Sequence, residues 1–436
     1  MQIDFPGQDA LRTASEIALE DYPRFARVRV DRATEPLDRV TEEAAAAVDA
    51  FSLAGLDAGA EIGITAGSRG IEDKPAVIRS FVSELQDRGY TPFVLAAMGS
   101  HGGATAEGQR QTLESLGITE ARVGCEIRSS MDVRVVGSDR RGRDVYVATE
   151  ALEADGVVLA NRVKPHTDFS GPVESGLCKM AVIGLGKHRG AESLHNAGLA
   201  GDFAEVILDR ARLIIVAAPI VGGVGLLEDA SEHISHLEGI APDRIIEREQ
   251  ALLERAYDAL PMLPIDELDL LIVDEIGKEI SGTCMDTNVL GRYRFYGEAE
   301  PDRPEITRVY ARSLTAPSHG NALGLGLADF VHRDLLEAVD FEDTYINIAT
   351  SGETDRAKIP FVVPDDETAL RVVPSTVGCE DPGTLRVARI RNTSRPDALV
   401  VSEPVARDLA AREDVRVGDL TPLELADGRL PPEPYL

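Results

Sequence analysis

The chain has 436 residues, 43% of them hydrophobic, and carries 75 acidic against 45 basic side chains for a formal charge of −30. Such a field repels nucleic acid and anionic membranes, so neither is an expected partner. Four scattered cysteines with no C-x-x-C pair argue against a disulfide framework or zinc knuckle.

No apolar run reaches the ~18 residues of a membrane span, and the first residues lack the basic start and apolar core of a signal peptide. The expectation is a soluble, cytoplasmic, reduced protein of two domains. Of the 45 basic residues only 6 are lysine. Excess carboxylates with few flexible lysine stems read either as plain solubility or as adaptation to high salt, where ions screen acidic self-repulsion; the composition favours the second.

In chain order, residues 26–32 (ARVRVDR) predict a strand and 37–51 an amphipathic helix. A strand running into a loop follows at 60–70, a helix with an early proline at 73–89, a strand at 91–103 and a helix at 105–117. Residues 154–166 and 211–223 read as buried strands, and helical pattern fills about 226–260. Prolines in 258–267 suggest a linker. A second series has strands at 268–277, 306–314, 343–352 and 384–392, a helix at 327–339, and a closing segment at 397–413. The rhythm predicts two α/β domains, 1–262 and 263–436, each with a largely parallel Rossmann-like sheet and with the active site in the interdomain cleft.

In open α/β sheets functional residues gather on loops after the C-terminal ends of strands. Three loops of the first half qualify: AGSRG with Arg69, MGSHGG with Ser100 and His101, and RVKPHTDFSG with Arg162, Lys164 and His166. A loop histidine serves either as a hydrogen-bonded structural group or as an acid/base near neutrality. Residues 164–196 concentrate three of the six lysines and three of the eight histidines. Lys179 lies in an apolar stretch, where a lysine either snorkels outward or is desolvated into a nucleophile or attachment point. His195 has no acidic or cysteine neighbour to share a metal held by protein alone. IGLGKHRG fails both phosphate-loop patterns. In the second half, loop positions near strand ends nominate Lys278, Asp286, Asn288, Arg292 and His319 as substrate contacts in the cleft.

These residues resemble the lactate racemase family, whose members use a nickel-pincer nucleotide. The matching elements are GSH with His101, Pro165-His166, Lys179, and His195-Asn196 placed 16 residues after that lysine, together with an early arginine loop, here SRG with Arg69. The resemblance covers the N-terminal two-thirds at motif level. It implies a cofactor covalently attached to Lys179, with His195 as the nickel ligand and with Arg69, Lys164 and Ser100 as further cofactor contacts. His101 and His166 become the paired acid/base residues, and Arg69 clamps a carboxylate or phosphate.

The implied activity is racemisation or epimerisation of a 2-hydroxy acid by reversible hydride transfer. The chain departs from the family in Ala66, which replaces a loop aspartate, and in about three extra residues between His166 and Lys179. The family's C-terminal lysine and glutamine have no matched positions; 277–292 and 314–324 are the stretches that could take over. A paralogue with a different 2-hydroxy acid is therefore expected. Two rivals stay open: an NAD-type oxidoreductase or hydrolase on a similar scaffold, which the missing G-x-G-x-x-G and G-x-S-x-G weigh against, and a cofactor-free binder of small acids acting as a sensor.

Overall fold

The structure is a computed structural model that describes residues 4–13, 15, 17–32, 36–198 and 203–432. The chain divides into two compact units, residues 33–260 and the segment ending at Arg32 together with Pro261 onward. The first strand, β1 (Phe25–Val30), explains why the division differs from 1–262 and 263–436. It is hydrogen bonded between two strands of the C-terminal half, so the chain starts in one unit, builds the other whole, and returns.

The unit of residues 33–260 holds β2 (Glu61–Ala66), β3 (Thr91–Ala96), β4 (Ile127–Arg128), β5 (Val133–Ser138), β6 (Asp144–Ala148), β7 (Gly156–Arg162), β8 (Ile220–Glu228) and β9 (Ile234–Ile240). Six of them form a sheet in the order β4-β3-β2-β7-β8-β9, parallel throughout except for β9, while β5 and β6 make a separate antiparallel pair. Ile62, Ile64 and Ala66 share a core with Val77, Phe81 and Leu85 of the helix Lys74–Asp87. Nearly continuous apolar strands of this kind are what a parallel sheet covered on both faces requires.

The other unit holds β1 with β10 (Glu267–Ile276), β11 (Glu305–Leu314), β12 (Phe330–His332), β13 (Phe361–Val363), β14 (Val387–Ile390), β15 (Ala398–Ser402) and β16 (Val415–Val417). The order is β13-β12-β11-β10-β14-β15-β1-β16, parallel from β13 to β14 and antiparallel beyond. The architecture is thus α/β with two mixed, mostly parallel sheets.

Some local readings are corrected. Most of 211–223 is not strand: Phe203–Ala217 is a helix burying Phe203, Ala204, Ile207, Arg210, Ala211 and Ile214, a 3.6-residue stripe that leaves Val216 exposed. Residues 343–352 are also helical, within Phe341–Ser351. Asp340 caps its first turn through the N–H groups of Glu342 and Asp343, and left-handed Gly352 ends it. The helix expected over 226–260 begins only at Ile245, after β8 and β9. The helix expected over 327–339 is the short strand β12 followed by Arg333–Glu337. No helix among the described residues is long and apolar enough to cross a membrane.

Candidate active site

β3, β2 and β7 are adjacent and parallel, so the loops carrying His101, Arg69 and His166 leave the same edge of one sheet. The Arg69 loop is tied from below. Lys74 is buried and donates from Nζ to the carbonyls of Gly67 (2.8 Å) and Arg69 (3.2 Å). The His101 loop turns through left-handed Gly99 and Gly102. Gly102 is needed for space as well, because a Cβ there would lie 2.4 Å from the backbone of Gly108. Ser100 and His101 are exposed, and buried Gln109 donates to the Gly99 carbonyl at 2.9 Å. Gln109 in turn accepts from buried Lys187 at 3.3 Å. Arg162, at the end of β7, pairs with Glu228 at the end of β8.

The third loop brings distant residues together. Lys164 and Ser175 exchange backbone hydrogen bonds (2.8 and 3.2 Å) that close the loop between them. Inside it, buried Glu174 accepts from the N–H of His166 (2.6 Å), the N–H of Gly171 (3.0 Å) and the hydroxyl of Tyr257 (2.8 Å). Burial nonetheless raises the Glu174 carboxyl above the usual range. Asn161 donates to the Gly176 carbonyl at 3.0 Å, anchoring the turn Leu177–Lys179 to the end of β7.

The result is a hydrogen-bond contact between Lys179 Nζ and His166 Nε2. His166 Nδ1 accepts the N–H of Asp168 at 3.0 Å, so the neutral ring carries its proton on Nε2 and can offer it to the lone pair of the amine once Lys179 has lost its own proton. Electrostatics agree. Desolvation brings half-buried Lys179 down to about 8; Arg69 and Lys164 push the same way, and Asp168 and Glu174 oppose them only in part.

His195 returns to the same place from the helix Lys187–Gly198, after a π-helical turn at Met180–Gly184. Burial and then the charge of Lys179 lower its pKa, keeping the imidazole neutral. A run of four rings links the two histidines. His166 stacks on Phe169 (4.4 Å between centroids), Phe169 stacks on Phe203 (5.1 Å), and Phe203 tilts against His195 (5.9 Å). Asp168, Phe169, Glu174, Phe203 and Tyr257 were not singled out from the sequence. The local signal was there for one of them, because an Asp two residues after a loop histidine is placed to bond it.

The candidates of the other unit separate. Lys278 follows β10, its N–H donating to Ser318 at 2.9 Å and its Nζ to the Gly282 carbonyl at 2.7 Å. His319 lies beside Ser318, exposed and with φ +48°. Asp286 caps the turn Thr287–Leu290, and buried Asn288 accepts from the Tyr293 hydroxyl at 3.1 Å. Arg292 is bound to Asp329 (2.6 Å) and to the Leu327 carbonyl (3.1 Å), a brace within the fold.

Residues 64–241 match the family model described as "Domain of unknown function (DUF362)", which spans β2 to the end of β9 and so encloses Arg69, His101, His166, Lys179 and His195. No curated protein matches the chain. Two solved structures extend the likeness to the whole fold. A crystal structure of a Thermotoga maritima protein is 12% identical with a TM-score of 0.50, covering 84% of this chain and 98% of that one. The lactate racemase apoprotein from Thermoanaerobacterium thermosaccharolyticum is 13% identical with a TM-score of 0.50, covering 87% of this chain and 95% of that one. At such identities the likeness is one of fold, and the fold is lactate racemase-like.

Proposed function

We propose that the chain is an isomerase, a racemase or epimerase of a 2-hydroxy acid, working with a nickel-pincer nucleotide attached to Lys179. The observation that carries this reading is the Lys179 amine, desolvated to about 8 and held against His166, with His195 beside it, on a lactate racemase-like fold. The residues fit such a group chemically. A neutral amine is the form that makes a covalent link, and a neutral imidazole is the form that binds metal. Among the described residues no three His, Cys, Asp or Glu gather into a metal site. His195 would therefore hold nickel together with donors belonging to the group itself.

When bound, the group supplies a hydride acceptor. The chain's own residues handle protons and charge. The base form of His166 is the other tautomer, with the proton kept on Nδ1, where the ring would donate toward the Asp168 carboxylate 3.7 Å away. Nε2 then takes the substrate hydroxyl proton. His101, on the loop after β3, does the same for the opposite enantiomer. Arg69 and Lys164 bind the substrate carboxylate or a cofactor phosphate against the chain's overall charge of −30. Ser100 is a cofactor contact. The charge balance further supports a protein that works in high salt and away from nucleic acid and anionic membranes.

The test is intact mass and nickel content of protein co-expressed with enzymes that make the nucleotide. An adduct on wild type that is missing from Lys179→Arg is the expected result. Equal adduct on both would overturn the assignment, and no adduct on wild type would favour the small-acid sensor.

A further inference from the structure

The helix Ile245–Ala259 buries Ile245, Leu252, Leu253 and Ala256, and on that same inward stripe it places Glu249. Glu249 has no exposed surface. A carboxylate in a core position is costly, and desolvation pushes it up to about 7. Its Oε2 accepts the N–H of Cys178 at 2.7 Å, its Oε1 is buried without a hydrogen bond of good geometry, and the Cys178 thiol and the Leu177 N–H lie close enough to bear on the carboxyl. Oε1 occupies the space beside Gly176, where a Cβ would lie 2.2 Å away. The turn above this carboxylate is Leu177–Lys179, so the one polar anchor in an apolar face meets the backbone one residue before the reactive amine.

We propose that Glu249 is a positioning residue for Lys179, its buried carboxylate and the side-chain-free Gly176 together fixing the turn from which the amine reaches His166. The biological use of that position rests on the attachment reading above, but the positioning does not. The hydrogen bond that Glu249 makes is to the Cys178 backbone, not to the amine. Glu249 acts through the backbone, and this separates a positioning role from an electrostatic one.

The experiment uses the cofactor-free full chain and reductive methylation by formaldehyde with dimethylamine borane, read at Lys179 by peptide mass across pH. Wild type should show a midpoint near 8. Glu249→Gln keeps an oxygen for the Cys178 N–H and should keep that midpoint. Glu249→Leu suits the apolar stripe but removes the acceptor. It should move the midpoint toward the ordinary lysine value of ~10.4, slowing modification at pH 7.5 by roughly tenfold or more. A Leu variant with the wild-type midpoint, or a Gln variant displaced as far as Leu, overturns the proposal. If Leu does not fold by circular dichroism, Gly176→Ala is read in its place, with a moved midpoint expected and an unmoved one overturning. Failure of the attachment reading would appear separately, as absence of the adduct, and would leave this result standing.

Discussion

The buried lysines of one unit and the buried arginine cluster of the other are treated in opposite ways. In the unit of residues 33–260, Lys74, Lys179 and Lys187 meet carbonyls, an imidazole and an amide, and desolvation brings each to about 8. In the other unit Arg312 meets carboxylates: Asp366 at 2.9 and 2.6 Å and Asp274 at 2.6 Å. Burial alone would lower Arg312, but Asp366 and Asp274 outweigh it and hold the guanidinium firmly charged. Arg389 shares the same Asp274 at 2.9 Å. A desolvated cation with neutral partners gives up its proton readily and becomes reactive, whereas one with carboxylates becomes a structural tie.

The sharpest way to break this comparison is Lys179→Arg. Arginine stays charged because its pKa exceeds ~12, so the adduct and all turnover should vanish while circular dichroism is unchanged. Persisting turnover would place Lys179 among the structural cations. Next in size is Asp366→Ala, which strands Arg312, the Tyr310 hydroxyl (2.7 Å) and the Leu430 N–H (2.7 Å). It should cost about 3–5 kcal/mol in denaturant unfolding, and a cost below ~1 kcal/mol would mean that the tie is ornamental.

Glu249 gives a smaller, pH-dependent effect. Its folded value of about 7 lies above its unfolded one, so the native state holds the extra proton in between. Stability is therefore fully present at low pH and is lost as pH rises from ~4.5 through ~7, by roughly 3 kcal/mol at most. Glu249→Gln should unfold like wild type at pH 4.5 and be the more stable protein at pH 8. Parallel pH profiles would refute a buried, neutralised carboxyl. Smallest is the effect of salt. Molar potassium chloride should screen the −30 surface and raise the thermal midpoint by ~2–4 °C, leaving the buried pairs untouched. A midpoint that does not change would remove the high-salt reading.

What the amino-acid order settled alone is what consecutive residues can encode. Apolar runs that end in glycine-containing loops marked β2, β3 and β7, and with them the loops of Arg69, His101 and His166. The four-part spacing through Lys179 and His195 marked the lactate racemase-like fold. Where local signals conflict, tertiary contact decided. LIIV within 203–217 and YINI within 341–351 read as strands by composition, but burial of one helical stripe and the caps of Asp340 and Gly352 made them helices. The sheet that β1 joins depends on partners at 398–402 and 415–417, hundreds of residues away, and no local pattern names them. The same holds for the chemistry. That Lys179 gives up its proton near pH 8, that His166 faces it and that Glu249 holds Cys178 from 71 positions away follow from desolvation and from three-dimensional neighbours. A pKa is set by what surrounds a group in space, and only the folded chain assembles those surroundings.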